Sequence, residues 1–257
     1  AELLNDFSQL TNVRKLENMD TDAFSQTAYG DEAAVRIHRY EELFDRGNAL
    51  YERLEEEEKD AFFQLVLLRI HAAYFTNLQY YYGDRSTLSC TQGKLKAAAE
   101  YVGLCRAFDD ARRKLIYYYN KKMAGGKWDG ILNPEGFPPP RAAMLPACTP
   151  PLSLKGREDG KSPMIVTVWN EGESLLFTKP GVKWFEIGNG TDGEFEFEIQ
   201  APDFVRLPDF AGEGFAEAYP EADGSRHGIF IVRGRAETEK RILVQVDDVK
   251  EDRQGSI

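Results

Sequence analysis

The change in hydrophobic period around residue 125 limits most strongly what this chain can fold into. Before Gly125 and Gly126 the apolar residues recur at helical spacing, whereas after them they mostly fall in short β-rich runs. Two glycines end a helix, and the consecutive prolines at 138–140 have no N–H to donate to a β-ladder. The sequence therefore predicts two separately folded parts that are joined by an extended segment.

Helical spacing is clearest in three stretches of the first half. From Asp31 to Leu54 the apolar residues follow spacings of three and four, which predicts an amphipathic helix that covers a core. The glutamates at 55–58 suit the first turn of a second helix, because carboxylates there complement the positive end of the helix dipole. A third helix is predicted from a capping box at 89–92 to the stop at Gly125. Together these stretches indicate a helical bundle.

The second half carries short β-rich runs at regular intervals, each bounded by turn residues. In one run Phe195, Phe197 and Ile199 alternate with glutamates, which indicates a strand with one solvated face. About seven such strands, with no helix between them, fit an immunoglobulin-like sandwich. The clearest runs are Met164–Trp169, Val182–Ile187, Glu194–Ile199, His227–Val232 and Arg241–Val246.

The predicted fold class is therefore α+β and multidomain, with an N-terminal all-α helical bundle followed by a C-terminal immunoglobulin-like antiparallel β-sandwich. We place the bundle at residues 1–126, a proline-rich strap and linker at 127–162, and the sandwich at 163–257. A chain of 257 residues is long enough to bury two ordinary cores.

Composition excludes several classes of partner. The formal net charge of -11 argues against a nucleic acid or an anionic membrane surface. No apolar run approaches the roughly 20 residues needed to span a bilayer. The three cysteines, Cys90, Cys105 and Cys148, show no metal-ligand spacing, so we predict no metal or cofactor and mildly favour a reducing compartment such as the cytoplasm. The chain opens inside a helical pattern without a methionine, so we expect a piece of a longer protein.

Residue patterns for catalysis are weak. Hydrolysis of a glycosidic bond usually takes two carboxyl groups roughly 5 to 10 Å apart. Asp109 and Asp110 are adjacent on a predicted helix and therefore diverge, and His38, His71 and His227 lie in separate elements. We therefore predict no catalytic residue, and the chain alone reads as non-catalytic.

An ordered series of segments resembles a known family. Arg14–Glu17, Asp60–Leu67, Gln92–Gly93 and Gly125–Trp128, in this order and spacing, are similar to the C-terminal part of glycoside hydrolase family 115. The sandwich resembles the family's last domain more loosely, through Phe204–Leu207. These enzymes are xylan α-1,2-glucuronidases, so the resemblance implies an enzyme that acts in xylan degradation.

The resemblance also implies an architecture and partners. It implies a parent enzyme whose catalytic barrel precedes Ala1, with this chain as an accessory C-terminal fragment that supports the barrel. The expected partners are that catalytic domain, glucuronoxylan or a related polysaccharide, and a second copy of the parent in a homodimer.

Three residues are candidates for substrate contact. Arg141 could pair bidentately with the carboxylate of a sugar acid, because a guanidinium fork matches that geometry. Its alternative role is to anchor the strap. Trp128 could contact substrate or plug the strap into the bundle, and Trp184 could stack on a sugar or belong to the sandwich core.

Two further functions stay open at this point. The chain could be a freestanding carbohydrate-binding module, with Trp169 and Trp184 as an aromatic platform on the sandwich. It could also be a scaffold whose long helices bind a protein partner.

Overall fold

The computed structural model describes residues 2–132, 164–168, 174–190, 195–202, 204–210, 215–220, 226–236 and 238–249. Its contacts divide the chain into two compact units, one of Ala1–Leu88 with Ala98–Cys148 and one of Ser89–Ala97 with Thr149–Ile257. The short segment Ser89–Ala97 thus belongs to the second unit, although it lies inside the helical half of the sequence. The other domain boundaries stay predictions.

Five α-helices account for the described part of the helical half. A π-helical turn, Phe63–Leu67, joins α3 to α4, and 3-10 turns lie at Leu16–Asn18 and Met123–Gly126. No helix within residues 2–132 is long and apolar enough to cross a membrane. The helices are α1 (Glu2–Val13), α2 (Glu32–Tyr51), α3 (Glu56–Phe62), α4 (Leu68–Gln92) and α5 (Leu95–Lys121).

Two predicted helix starts are confirmed. α2 begins one residue after Asp31. α3 begins at Glu56, inside the glutamate run, and the Glu58 carboxylate accepts a hydrogen bond from the Glu55 backbone N–H at 3.3 Å. This bond satisfies one of the N–H groups that a helix start leaves without an intrahelical partner.

The predicted capping box at Ser89–Gln92 is wrong, because these residues are the last turn of α4. The chain leaves that turn through a Schellman motif: the Lys94 N–H donates to the Ser89 carbonyl at 2.8 Å, and the Gly93 N–H donates to the Cys90 carbonyl at 3.1 Å. Gly93 has a φ of 84°, a left-handed conformation that suits glycine. α5 therefore begins only at Leu95, and Lys94 is the residue just beyond the turn.

α4 is the central helix of the first unit. Ile70, Ala72 and Ala73 have no exposed surface. One apolar cluster packs α4 against α1 and α2 through Leu3, Tyr40 and their neighbours, and a second packs it against α5. The apolar run from Phe62 to Ile70 predicts neighbours on several sides, and the two clusters agree with this prediction except at Leu65, which is 60% exposed.

The described strands form two antiparallel sheets, with orders β1-β2-β7-β4 and β3-β6-β5. The second unit is thus antiparallel β-structure, as the sequence predicts, while the immunoglobulin-like sandwich stays a prediction. The strands are β1 (Met164–Val168), β2 (Gly181–Asn189), β3 (Phe195–Pro202), β4 (Val205–Arg206), β5 (Phe215–Pro220), β6 (Arg226–Ala236) and β7 (Glu239–Val246).

One apolar cluster draws on both sheets. Phe185 and Ile242 come from the four-stranded sheet, and Phe197 and Ile199 come from β3 of the other. Each of these side chains is at most 7% exposed. The alternation predicted for β3 is confirmed. β2 departs from alternation, because every residue from 184 to 189 is buried, so its outer face must also be covered.

Candidate functional site

Lys94 covers the outer face of β2, and it is the centre of the most concentrated polar cluster described in the second unit. The Schellman turn places Lys94 just beyond α4, within the segment that belongs to this unit. Its side chain has no exposed surface. The Nζ atom donates to Thr167 Oγ1 at 2.8 Å, Glu186 Oε2 at 2.9 Å and Glu239 Oε2 at 2.8 Å. All three ammonium hydrogens are therefore used.

A row of side chains across the sheet builds the socket for this ammonium group. Thr167 on β1 and Arg241 on β7 are both direct cross-strand neighbours of Glu186 on β2. Neighbours in register lie on the same face of a sheet, so the three side chains meet on the outer face. Arg241 donates to Glu186 Oε1 through Nε at 3.2 Å and through Nη2 at 2.9 Å. Both oxygens of Glu186 are thus engaged by cations, and we refer to this group as the Lys94 cluster.

The Lys94 cluster is suited to holding structure rather than to chemistry on a substrate. The Glu186 and Glu239 side chains are 3% and 7% exposed. A carboxylate at this depth is tolerated because it is paired and hydrogen-bonded. The ammonium group directs every donor to a partner inside the protein, so the cluster fixes the segment Ser89–Ala97 on the sheet.

Gly188 leaves the space through which the Lys94 side chain reaches the socket. A Cβ at Gly188 would lie 2.3 Å from Cγ and 2.4 Å from Cδ of Lys94. The lysine stem cannot move aside easily, because three hydrogen bonds hold its end. We therefore expect Gly188→Ala to lower the free energy of unfolding by about 1–3 kcal/mol, the usual cost of overpacking.

Gly181→Ala is the matched control, since Gly181 lies on the same strand and a Cβ there meets nothing within 4 Å. Urea unfolding of the two variants beside the parent chain measures the difference. Equal stabilities for the two variants would contradict the close approach of Lys94 to β2.

Trp184 lies beside the Lys94 cluster and is 3% exposed. The Arg241 guanidinium carbon sits 3.9 Å from the centre of its ring, which is a cation–π contact. An aromatic sugar platform needs an exposed ring face, and Trp184 does not present one. The alternative, a place in the sandwich core, agrees with its burial, but Trp184 lies on the outer face beside Glu186 and is not part of the apolar cluster that draws on both sheets.

Trp128 follows α5 and lies partly buried in the second apolar cluster of the helical unit. Its ring stacks on that of Tyr119, with centroids 6.5 Å apart and an interplanar angle of 16°. The returning chain is held further by the backbone of Leu132, whose N–H donates to Asn120 Oδ1 at 3.1 Å. Trp128 therefore joins the start of the strap to the bundle. Arg141 and Trp169 lie outside the described residues.

The helical unit holds a second polar site, a cavity of about 20 Å³. This volume is little more than one water molecule needs, so it is far too small for a sugar. Its lining joins the loop Asp20–Asp31 to α2 and α4. The polar lining residues are Asp20, Gln26, Arg36, Asn77, Tyr80, Tyr81 and Asp84.

Arg36 closes one side of this cavity and is 5% exposed. Its guanidinium donates to Asn77 Oδ1 at 2.8 Å, to the Leu10 carbonyl at 3.2 Å and to the Arg14 carbonyl at 3.3 Å. The Leu10 carbonyl belongs to the last turn of α1, whose carbonyls lack intrahelical donors. Arg36 thus caps α1 from α2, and a buried cation is stabilised by the negative end of a helix dipole.

Asp84 is the ionisable group of the cavity whose state is most perturbed. It is 7% exposed, and Oδ2 accepts a hydrogen bond from the Asp22 backbone N–H at 3.1 Å. Burial raises the pKa of Asp84 to about 7, and the charges of Asp22 and Asp20 act in the same direction, while the Asp22 N–H opposes them. The carboxyl group therefore changes charge near neutral pH.

Neither site holds the features of a metal centre. Among the described residues, no group of three or more His, Cys, Asp or Glu side chains could hold a metal ion. Asp109 pairs instead with Arg112 at 2.6 Å and with Arg113 at 2.9 Å. Cys90 and Cys105 are buried and form no disulfide bond among the described residues, while Cys148 lies outside those residues.

Sequence reasoning missed both polar sites. Gly93 in a helix-ending position and the lysine after it are a recognisable signal of a Schellman turn. Nothing in the sequence indicates that Lys94 meets Glu186 and Glu239, which lie 92 and 145 residues away. Asp84 lies in a helical stretch whose sequence does not distinguish a buried position for this residue from an exposed one.

Comparisons with known proteins include a solved structure with a weak similarity to this chain. No family model matches the sequence, and no curated protein matches it. A solved structure, the family GH115 4-O-methyl-alpha-glucuronidase BtGH115A with specificity for decorated arabinogalactans, aligns with a TM-score of 0.42 and 15% identity. The alignment covers 96% of this chain and 37% of that chain. The present chain thus spans well under half of that enzyme, and no residue role is carried over from it.

Proposed function

We propose that this chain is an accessory region of a glycoside hydrolase related to the family 115 xylan α-1,2-glucuronidases. In this role it supports a catalytic barrel and contributes to a homodimer of the parent enzyme. The observation that carries the proposal is the ordered series of segments that resembles the family, read together with where those segments lie in the fold.

Three of these segments coincide with points where the backbone is constrained. Asp60–Leu67 runs through the π-helical turn into the packed core, and Gln92–Gly93 forms the Schellman turn. Gly125–Trp128 follows the end of α5 at Lys121, and Gly125 and Gly126 have φ values of 65° and 82°. Residues at such points are needed for the shape of the chain, which supports a common architecture.

The two polar sites favour a supporting role. The carboxylates of the Lys94 cluster are already engaged by Lys94 and Arg241, and the cavity beside Asp84 is too small for a sugar. The buried position of Trp184 gives no support to a freestanding carbohydrate-binding module.

The test uses the reading frame upstream of the Ala1 codon, which we expect to continue through a barrel domain. The full parent should release 4-O-methylglucuronic acid from glucuronoxylan, and the present chain alone should release none above the buffer. A parent that stops before Ala1 should lose both thermal stability and activity. Light scattering of the full parent should give the mass of a dimer.

Two results would reject the proposal. The first is release of uronic acid by the present chain alone. The second is a shortened parent that keeps the activity and melting temperature of the full enzyme. An upstream reading frame that encodes no barrel would likewise contradict the proposed role of supporting a barrel.

A further inference from the structure

We propose that Asp84 is a pH-operated latch for the loop Asp20–Asp31, holding the loop against α4 when its carboxyl group is protonated and releasing it when that group is ionised. The proposal concerns the helical unit alone and does not depend on the function proposed above.

Both ends of the loop are anchored, and its middle contacts α4 through the Asp22 hydrogen bond and through Phe24, which packs against Met19 and Tyr80. At one end the Tyr80 hydroxyl donates to the Met19 carbonyl at 3.0 Å. At the other end the Ser25 N–H donates to Glu32 Oε2 at 2.9 Å, and the Ala33 N–H donates to the Ser25 carbonyl at 3.0 Å. Between these anchors the Asp22 N–H donates to Asp84 Oδ2. The Asp22 backbone is therefore the part of the loop whose position depends most directly on Asp84.

The closed loop is held in a strained conformation at the point of contact. Asp22 has a φ of 56°, which is uncommon for a residue with a side chain. Strain of this kind persists only where the surroundings enforce it. Loss of the contact with Asp84 would let Asp22 return to an ordinary conformation, so strain favours release.

The charges that face Asp84 oppose its ionisation. The loop contributes Asp20 and Asp22, and both act to keep the carboxyl protonated. α2 contributes Arg36, whose guanidinium donates to Asn77 and to the carbonyls of Leu10 and Arg14.

The remaining groups near Asp84 belong to the other packed helices. On α4 these are Tyr80 and Tyr81 in the cavity wall and Arg85 next along the helix. On α5 the group is Cys105, whose pKa burial raises to about 11, so this thiol stays neutral throughout the physiological range.

The direction of the switch follows from these contacts. A neutral carboxyl group is compatible with burial and still accepts the Asp22 N–H. An ionised group at the same depth lacks water and meets two like charges on the loop. Burial raises the pKa of Asp84 to about 7 in the closed state. Opening of the loop lets water reach the carboxylate, so the open state becomes more populated above neutral pH.

Hydrogen exchange of the loop amides at pH 5.5 and pH 8, corrected for intrinsic rates, tests the latch. In the parent chain the corrected rate for residues 20–31 should rise at least about tenfold between the two pH values, because opening is linked to the loss of one proton. Asp84→Asn should abolish the rise, since the amide oxygen accepts the same hydrogen bond and carries no charge.

Two further variants complete the test. Asp22→Asn removes one charge that faces Asp84, which lowers the pKa of Asp84 toward its ordinary value, so the rise should be smaller and should level off at lower pH. Asp110→Asn is the control for net charge, because Asp110 is exposed and pairs with Lys114 on the surface; it should exchange like the parent. The proposal is overturned if the loop exchanges equally at both pH values, or if Asp84→Asn keeps the dependence of the parent chain.

Discussion

Lys94→Met should lower the free energy of unfolding of the β-containing unit by about 3–5 kcal/mol, the usual cost of removing one partner from a buried ion pair. Methionine preserves the length of the apolar stem over Gly188, so the change isolates the ammonium group. Glu239 would lose its ion pair with Lys94, while Glu186 would keep its ion pair with Arg241. Urea unfolding followed by circular dichroism measures the loss.

Lys114→Met is the matched control, because Lys114 forms an ion pair with Asp110 in which the two side chains are 76% and 59% exposed. Water screens such a pair strongly, so its loss should change stability little. Similar losses for the Lys94 and Lys114 variants would contradict the burial of the Lys94 cluster.

A triple variant separates charge from packing at the same place. Lys94→Met combined with Glu186→Gln and Glu239→Gln also removes the two carboxylate charges that Lys94→Met leaves without the ammonium group. The amide oxygen of residue 186 can still accept a hydrogen bond from Arg241. The triple variant should therefore recover a large part of the lost stability. If it is no more stable than Lys94→Met, the loss arises from packing and the electrostatic argument fails.

The contrast between α2 and Lys94 shows what could be predicted from the sequence. The helical spacing after Asp31 and the glutamates before α3 are local signals, and both helices begin where these signals indicate. The alternation in β3 is local as well, and its phenylalanine and isoleucine face the core. Such features depend on residues a few positions apart.

The polar sites depend on contacts that no local pattern encodes. Asp84 meets a loop residue 62 positions away, and Lys94 meets glutamates that are further still. The capping box at 89–92 fits the sequence rule, yet α4 continues through it because Gly93 offers a better place to end. Trp184 illustrates the same limit, since its burial and its contact with Arg241 depend on residues far along the chain.

His71 gives the helical unit a second buried ionisable group, with a pH dependence opposite to that of Asp84. Its Nε2 lies 3.0 Å from Asn48 Oδ1, and its ring centre is 4.4 Å from that of Phe44. Burial lowers the pKa of His71 to about 4 from an ordinary value of 6.5. The folded state thus holds fewer protons than the unfolded state in this window, and the stability that His71 contributes is lost as the pH falls from 6.5 toward 4.

Asp84 acts in the other direction over nearly the same window. Its pKa is about 7 in the folded state against an ordinary value of 3.8, so the folded state holds more protons between these limits. The free energy of unfolding therefore rises as the pH falls from 7 to 4 and Asp84 is protonated. Above pH 7 the cost of burying the Asp84 carboxylate is fully present. The two contributions largely cancel in the parent chain.

Asp84→Asn should uncover this cancellation. At pH 8 the variant should be more stable than the parent by about 2–4 kcal/mol, because no buried carboxylate has to ionise, and the difference should vanish near pH 4. On acidification the variant should lose about 2–3 kcal/mol through His71, a loss that the parent does not show. Urea unfolding at intervals between pH 4 and pH 8 gives these profiles.

His71→Gln should give the mirror image, because the glutamine amide can still donate to Asn48 but does not titrate. The stability of His71→Gln should rise as the pH falls from 7 to 4, because Asp84 still titrates and residue 71 does not. The double variant, Asp84→Asn with His71→Gln, should change less in stability across this window than either single variant. Additivity is expected because the two groups lie 13 residues apart on α4, about 20 Å along the helix axis. Parallel profiles for Asp84→Asn and the parent would show that the carboxyl group is ionised in the folded state throughout, and the opposition of the two groups would then be wrong.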